Sequence, residues 1–364
     1  MDAQERWCSI ALSLCPGIER GTVRKLAAVM GGAAHVWNAS VPQWLQGCNM
    51  RPDTARRLDN WRRSFRAENI ENQLLNRGVW CMVRGDENYP VSLLDLMDPP
   101  LVLFGMGDAR YLAGDVKKVA VIGTRRASGY GLECANWIAK TLADNGVTVV
   151  SGLALGIDAA AHNASVCAPG STVAVLASGV DVCYPSSNRG LYENILRAGA
   201  LVSEYAPSAV AAKHRFPERN RLIAALSSHV VVVQAGEKSG ALRTVDAALE
   251  LGRDVYVVPG PITSVHFRGS HRLLQQGAQV LVDPNDVLLD LNVTTLQTSL
   301  GNPQRVPERW SGLYELLTEA ITAQDLARQL AVPPAHVYSG LLELELLGAV
   351  QRLPGGFYRR GAHK

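Results

Sequence analysis

An excess of charge of one sign is missing: 36 lysines and arginines face 33 aspartates and glutamates in 364 residues, a formal net charge of +3. That balance excludes a histone-like or arginine-rich coat for nucleic acid, but not a local basic site. Charged residues are 19% of the chain, below the roughly 25% of ordinary soluble domains. Hydrophobic residues are 47%, which excludes a disordered chain, and the length suggests two or three domains with proper cores. The seven cysteines (Cys8, Cys15, Cys48, Cys81, Cys134, Cys167, Cys183) form no C-x-x-C pair, so neither a disulfide framework nor a thiolate metal site is expected. The first residues lack the basic and then apolar pattern of a signal peptide. The longest weakly charged stretch, Asn145 to Val180, is cut by Gly152, Gly156, Asp158, Pro169 and Gly170 and cannot span a membrane as a helix. The expected location is a reduced cytoplasm, with no membrane partner.

Catalytic patterns are absent as well. The chain has no G-x-S-x-G elbow, no G-x-x-x-x-G-K-[ST] loop, no H-E-x-x-H, and no pair of carboxylates whose context assigns acid and base roles. No catalytic residue, metal ligand or cofactor is nominated, and the chain is read as a non-enzyme.

What is there falls into zones. Residues 1–78 read as a small helical domain, with Trp37, Trp44 and Trp61 among arginines at 51, 56, 57, 62, 63 and 66. Residues 79–291 alternate short Val- and Ala-rich runs with helical text, the pattern of an α/β, Rossmann-like domain built on a mainly parallel sheet. The expected strands are 119–122, 147–150, 173–176, 201–203, 230–233 and 255–258; their continuous hydrophobicity implies helices on both faces. Residues 292–306 are polar and read as a linker. Residues 307–364 read as three helices, over 310–317, 323–329 and 334–347, followed by a hairpin of 350–353 and 357–359, the outline of a winged helix-turn-helix. Gly348 is expected to stop the third helix.

Four connections could carry chemistry, because ligands of open parallel sheets sit beyond the strands' carboxyl ends, where backbone N–H groups attract anions. The first strand runs into Gly123-Thr124-Arg125-Arg126, with a helix expected from about Leu132; a phosphate site and a simple turn are equally good readings. In the next turn Asp158 and His162 lie four apart, and the preferred account is an Asp158 helix cap and a His162 hydrogen bond, not a metal pair. Gly152 and Gly156 would let that turn pass close to a neighbour. The stretch 213–221 (KHRFPERNR) combines Lys213, Arg215, Arg219 and Arg221 with Phe216 and Asn220, the composition of a groove that follows phosphates and stacks a base. With a helix expected over 220–226, Arg219 and Arg221 would sit at its positive end, where arginines are disfavoured unless an anion is present. Last, Ser239 and Gly240 precede a helix expected over 245–251, either as a cap or as a second phosphate contact.

These features occur in an ordered series: Tyr89-Pro90, Asp98 to Gly105, Val121 to Arg125 with Tyr130-Gly131, Ser151 to Asp158 with His162, Tyr184-Pro185, Ser203-Glu204, Phe216 to Arg221, Ser239-Gly240 and Val258 to Gly260. The series, spread over roughly residues 85 to 285, resembles the DNA-processing protein A family (DprA, also called Smf). The resemblance implies a sterile-alpha-motif-like helical domain before the Rossmann-like domain and a winged helix after it. It implies a non-enzymatic protein that binds and protects single-stranded DNA in natural transformation, helps load a RecA-type recombinase, and forms a homodimer through the Rossmann-like domain. Carried over by motif, Arg125, Lys213 and Phe216 match the family's DNA pocket, with Gly123, Thr124, Arg126, Arg219, Asn220, Arg221, Ser239 and Gly240 as neighbours. Two positions depart from the family pattern: Gln234 stands where an acidic residue usually ends the fifth strand, and Gly269-Ser270-His271 where G-x-N is usual.

Residues 14–21 (LCPGIERG) look like a helix-hairpin-helix turn, which can touch DNA backbone, or a plain structural turn. The third helix of the carboxy-terminal module has no Lys or Arg and carries Glu343 and Glu345. Protein contact is therefore favoured over base readout, which uses Arg, Lys, Asn or Gln. The alternative to DNA binding is a nucleoside-phosphate-binding or hydrolysing enzyme or sensor, for which Glu237 is the only candidate carboxylate near the Ser239-Gly240 turn.

Overall fold

The computed structural model describes residues 1–66, 70–293, 306–347, 349–353 and 356–360. They form two compact units, divided between Thr294 and Thr295.

The first unit begins with α1 (Ala3–Ser13), α2 (Arg20–Met30), α3 (Ala33–Asn38), α4 (Val41–Gly47), α5 (Pro52–Ser64) and α6 (Ile70–Asn76). Local sequence sets their starts. Ser40 and Gln43 form a capping box on α4, and proline occupies the first turn of α4 and α5, where no N–H is needed. The tryptophans are the core. Trp44 is fully buried and its Nε1 donates to the Val36 carbonyl at 3.0 Å, while Trp7, Trp37 and Phe65 stack edge and face with centroids 5.3 to 6.4 Å apart.

The sheet that follows has nine strands: β1 (Trp80–Val83), β2 (Val102–Gly107), β3 (Lys118–Gly123), β4 (Thr148–Ser151), β5 (Thr172–Val175), β6 (Ala200–Ser203), β7 (His229–Gln234), β8 (Asp254–Val257) and β9 (Gln279–Val280), in the order β1-β2-β6-β5-β4-β3-β7-β8-β9. The six expected runs are β3 to β8, all parallel. Three strands were not expected: β9 at one edge, β2, antiparallel beside β6, and β1, antiparallel to β2 at the other edge.

The helices are α7 (Gly129–Asp144), α8 (Ile157–Ser165), α9 (Arg189–Ala198), α10 (Arg215–Leu226), α11 (Leu242–Glu250), α12 (Arg268–Gln275) and α13 (Pro284–Asp290). Strand β3 explains the unbroken hydrophobic text. Ala120 and Ile122 pack against Leu222, Ile223 and Val245 on one face, and Val119 and Val121 against Ile138, Leu142 and Ile157 on the other. Period-two alternation cannot appear when both faces are dry.

Three helices start earlier than expected: α7 at Gly129, α11 at Leu242 and α10 at Arg215, five residues before Asn220. Pro217 is the third residue of α10, within the first turn whose N–H groups have no intrahelical partner, so it does not delay the helix.

In the second unit, α14 (Ser311–Glu315), α15 (Ala323–Leu330) and α16 (Pro334–Leu346) accompany a three-stranded sheet of β10 (Ile321–Thr322), β12 (Phe357–Arg360) and β11 (Val350–Arg352). The single helix expected over 310–317 is instead a short 3-10 turn, Glu308–Trp310, followed by α14. The Thr322 hydroxyl caps α15, accepting from the Asp325 N–H, and the hairpin is present with β10 as an added edge. Trp310, Leu326, Leu341, Leu344 and Tyr358 fill the core. Glu343 is engaged within the module, pairing with Arg309 at 2.5 Å and accepting from Trp310 Nε1 at 2.7 Å. The outer face of α16 thus presents Tyr338, Leu342 and Glu345. Gly348 and most of the expected linker, 294–305, lie outside the described residues.

Candidate nucleic-acid interface

Strand β3 sends its connection through α7 to β4 on one side, while β7 lies on its other side. The carboxyl ends of β3 and β7 therefore bracket a topological switch point, where open α/β sheets hold ligands. Strand β3 ends on Gly123 and the loop after it carries Thr124, Arg125 and Arg126; the loop after β7 carries Ser239 and Gly240.

The first loop is fixed by its backbone. Thr124 N–H donates to the Gln234 carbonyl at 2.8 Å and the Thr124 carbonyl accepts from Ile157 N–H at 3.2 Å. Gly156 sits at φ +77, and a Cβ there would strike the Thr124 and Arg125 backbone, so the second turn can approach only because this residue is glycine. With its main chain pinned, the loop leaves Arg125 and Arg126 exposed. The Arg125 guanidinium lies 5.1 Å from the centre of the Phe216 ring, within cation–π range. Tyr184, from the connection between β5 and α9, stands 5.5 Å from the same ring on a tilted plane. Three separate βα connections thus converge on one aromatic and cationic platform, and Lys213 is exposed three residues before Phe216.

Tyr184 was not selected as a site residue. The signal was present in the Tyr184-Pro185 pair, but only the fold shows that this connection reaches Phe216.

Gln234 ends β7 fully buried. Its Oε1 accepts from the Ser128 N–H and hydroxyl at 3.0 and 3.1 Å, and its Nε2 has no partner among the described residues. The amide orientation is set by the Ser128 N–H, which requires an oxygen. A buried, unspent donor therefore remains at the start of α7.

Arg219 and Arg221 are placed differently from Arg125. Because α10 begins at Arg215, neither is in its opening turn. Arg219 is 4% exposed and turned inward, donating to the Gly152 carbonyl at 2.7 Å and to the Val175 carbonyl. A Cβ on residue 152 would overlap its guanidinium, which explains Gly152. Arg221 donates to the Asp98 carbonyl at 2.8 Å and pairs with Glu204 at 2.5 Å. The expectation that an external anion accounts for these two arginines is corrected: internal carbonyls and carboxylates do. Asn220 Nδ2 reaches the Gly240 carbonyl at 3.3 Å, bringing those two positions together, and the Ser239 hydroxyl accepts from Ala241 N–H at 3.4 Å.

The Asp158 and His162 pair is structural, with one change from expectation. Asp158 does not cap α8; its Oδ2 accepts from the Gly152 and Ala154 N–H groups at 3.2 and 3.4 Å and so ties down the preceding turn. Burial pushes its carboxyl above the usual range, against the opposing pull of Arg219. His162 Nε2 accepts from Leu153 N–H at 3.3 Å, and Nδ1 lies 2.7 Å from Thr172 Oγ1, which itself donates to the Val149 carbonyl. This assigns a neutral ring protonated on Nδ1. Burial, with Arg219 nearby, depresses its pKa to about 3. Among the described residues no group of three His, Cys, Asp or Glu is arranged to hold a metal, and no helix is long and apolar enough to cross a membrane.

Fold and site together define a doubly wound α/β domain with a cationic, aromatic platform at its switch point, preceded by a helical bundle and followed by a winged helix. The chain belongs to the DNA recombination-mediator protein A family, whose sequence profile matches residues 80–292, and the profile of the DprA winged helix domain matches residues 313–356. Protein Smf of Escherichia coli is 36% identical over 309 residues, covering 81% of this chain and 82% of that protein. The crystal structure of DNA processing protein A from Streptococcus pneumoniae superposes with a TM-score of 0.65 at 30% identity, covering 79% of this chain and 98% of its own. The Helicobacter pylori protein, whose structure concerns its single-stranded DNA binding mode, gives a TM-score of 0.54 at 32% identity, with coverage of 59% and 95%.

Proposed function

We propose that this chain is a non-enzymatic, dimeric mediator that holds and protects single-stranded DNA during natural transformation and helps load a RecA-type recombinase. The observation that carries the reading is the Arg125, Phe216 and Tyr184 platform at the switch point. Unpaired bases need a π-face, phosphates need fixed cations, and this crevice offers both without a base-edge reader, so binding is tolerant of sequence and falls steeply with salt. The relationship to the Helicobacter pylori protein supports the choice of strand.

Calorimetric titration of an oligothymidine and of AMP is the test, repeated across a salt series. Tight oligonucleotide binding with no AMP heat is expected. Arg125→Ala and Lys213→Ala each weaken it, by about 1.5–3 kcal/mol for a charged contact, at unchanged thermal midpoint. Unchanged affinity in both variants would reject this site. AMP binding in preference to oligonucleotide would turn the reading to a nucleoside phosphate, for which the unspent Gln234 Nε2 donor is the feature in favour.

A further inference from the structure

We infer that the helical bundle continues the strand's path: DNA leaving the Phe216 platform runs across the hairpin between α1 and α2 and onto the arginine face of α5. The inference rests on the reading of the platform given above.

Helix α5 holds four arginines against two aspartates in thirteen residues. Helical geometry divides them. Ala55, Leu58 and Trp61 face the bundle core. Arg62 folds inward, 4.7 Å above the Trp44 ring, and donates to the Trp37 and Ala39 carbonyls. Arg56, Arg57 and Arg63 point outward, with Arg56 and Arg63 side chains 74% and 77% exposed. Their carboxylate partners do not cancel them. Asp53 is 3.8 Å from Arg56 across solvent, and Asp59, 2.8 Å from Arg63, is shared with Arg62 at 2.6 Å, so the two carboxylates leave net positive charge on the helix. Exposed guanidiniums held only by solvent-screened pairs or, for Arg57, by one long hydrogen bond can turn to phosphates.

The hairpin supplies the link. Arg57 Nη1 donates to the Gly17 carbonyl at 3.3 Å, so the α5 face abuts the turn. Gly17 is at φ +71, and the N–H groups of Gly17, Glu19, Arg20 and Gly21 have no partner among the described residues. Such unpaired amides, beside the opening of an eleven-residue helix, suit a phosphate. On its far side the hairpin touches the platform's own helix: Arg20 pairs with Glu218 at 2.9 Å, two residues from Phe216. The contacts run in the order platform helix, hairpin, α5. Glu19 is the one carboxylate in the turn and is exposed, so it opposes the passing strand.

The test compares two oligothymidines on the full-length chain, one of roughly 6 nucleotides, near the short end of single-strand site sizes, and one of roughly 20, beyond the long end. An Arg56→Gln, Arg57→Gln, Arg63→Gln variant is expected to bind the short oligonucleotide as before. It should bind the long one about tenfold more weakly, with a salt slope lower by about 2, since each lost single-strand contact removes about 0.7. Glu19→Gln should tighten only the long one. If replacing Arg57 unseats the hairpin, Arg56→Gln with Arg63→Gln carries the same expectation at smaller size. Unchanged binding of the long oligonucleotide, or equal losses on both lengths, overturns the path. Phe216→Ala separates the two readings: if it leaves both lengths unaffected, the platform itself has failed; if it weakens both while the α5 variant changes neither, only the path has.

Discussion

Two groups of arginines lie beyond the strand ends of one sheet. Arg125 and Arg126 stand exposed with no ion-pair partner among the described residues. Arg219 and Arg221, only a few residues past Phe216, are bound to backbone carbonyls, Asp98 and Glu204 inside the protein. Both groups are arginines that the sequence places in connections following strands of the same sheet. What separates them is whether the backbone supplies acceptors: the Arg125 loop spends its Thr124 carbonyl on the Ile157 N–H, while the turn after β4 aims Gly152 O inward. A cation already matched by protein oxygens holds the fold; one left unmatched is available to a ligand.

Breaking the buried group should have the largest effect. Arg219→Ala strands the Gly152 and Val175 carbonyls and removes the charge facing Asp158, and urea unfolding is expected to show a loss of about 3–5 kcal/mol. Arg125→Ala should leave the same curve within about 0.5 kcal/mol, as surface changes do. Equal losses would end the distinction.

Next comes the ring between the two groups. Phe216→Ala should cost about 1–3 kcal/mol in oligothymidine binding, the worth of one base–aromatic stack, read by calorimetry at low salt.

The buried side of the comparison also has a pH signature. Native His162 stays neutral down to about pH 3, whereas in the unfolded chain it takes a proton below roughly 6.5. The unfolded state then binds more protons, so this contribution is complete above pH 6.5 and declines as the pH falls toward 3. At pH 5 the loss is about 2 kcal/mol. Asp158, raised by burial, acts with opposite sign, so the His162 contribution is read as the difference in stability slope between the native chain and His162→Gln from pH 7 to 5. Equal slopes would refute the neutral, sealed ring.

The smallest effect tests shape against charge at the exposed site. Arg125→Lys keeps the cation but loses the flat guanidinium above Phe216; affinity should fall by less than about 1 kcal/mol. The salt slope should stay that of the native chain, whereas Arg125→Ala should lower it by about 0.7.

Much of this was readable in the sequence, and the omissions have physical causes. Strands β3 to β8 are legible because burial on both faces leaves a continuous apolar run. Strand β9 is only two exposed residues long, and β1 and β2, though apolar (WCMV and VLF), have no helix of a β-α repeat between them to mark them as members of the sheet. Arg125 and Phe216 were legible as chemistry on neighbouring turns, but their stacking required the sheet order. Tyr184 was marked only by the Tyr184-Pro185 pair, and the contact of its connection with Phe216 required the fold. The misplacement of Arg219 and Arg221 comes from the helix start: α10 begins at Arg215, not Asn220, with Pro217 in its first turn.

The junction between α2 and α10 has a dynamic consequence. Glu204, its side chain 8% exposed, is gripped from one side by Arg20 of α2 and from the other by Arg221 of α10, and burial raises its pKa despite both cations. Letting water reach half of such a junction leaves a buried charge without its full complement, so partial opening is disfavoured. The two helices should detach together or not at all, forming one cooperative unit whose amide protons exchange with the same free energy of opening.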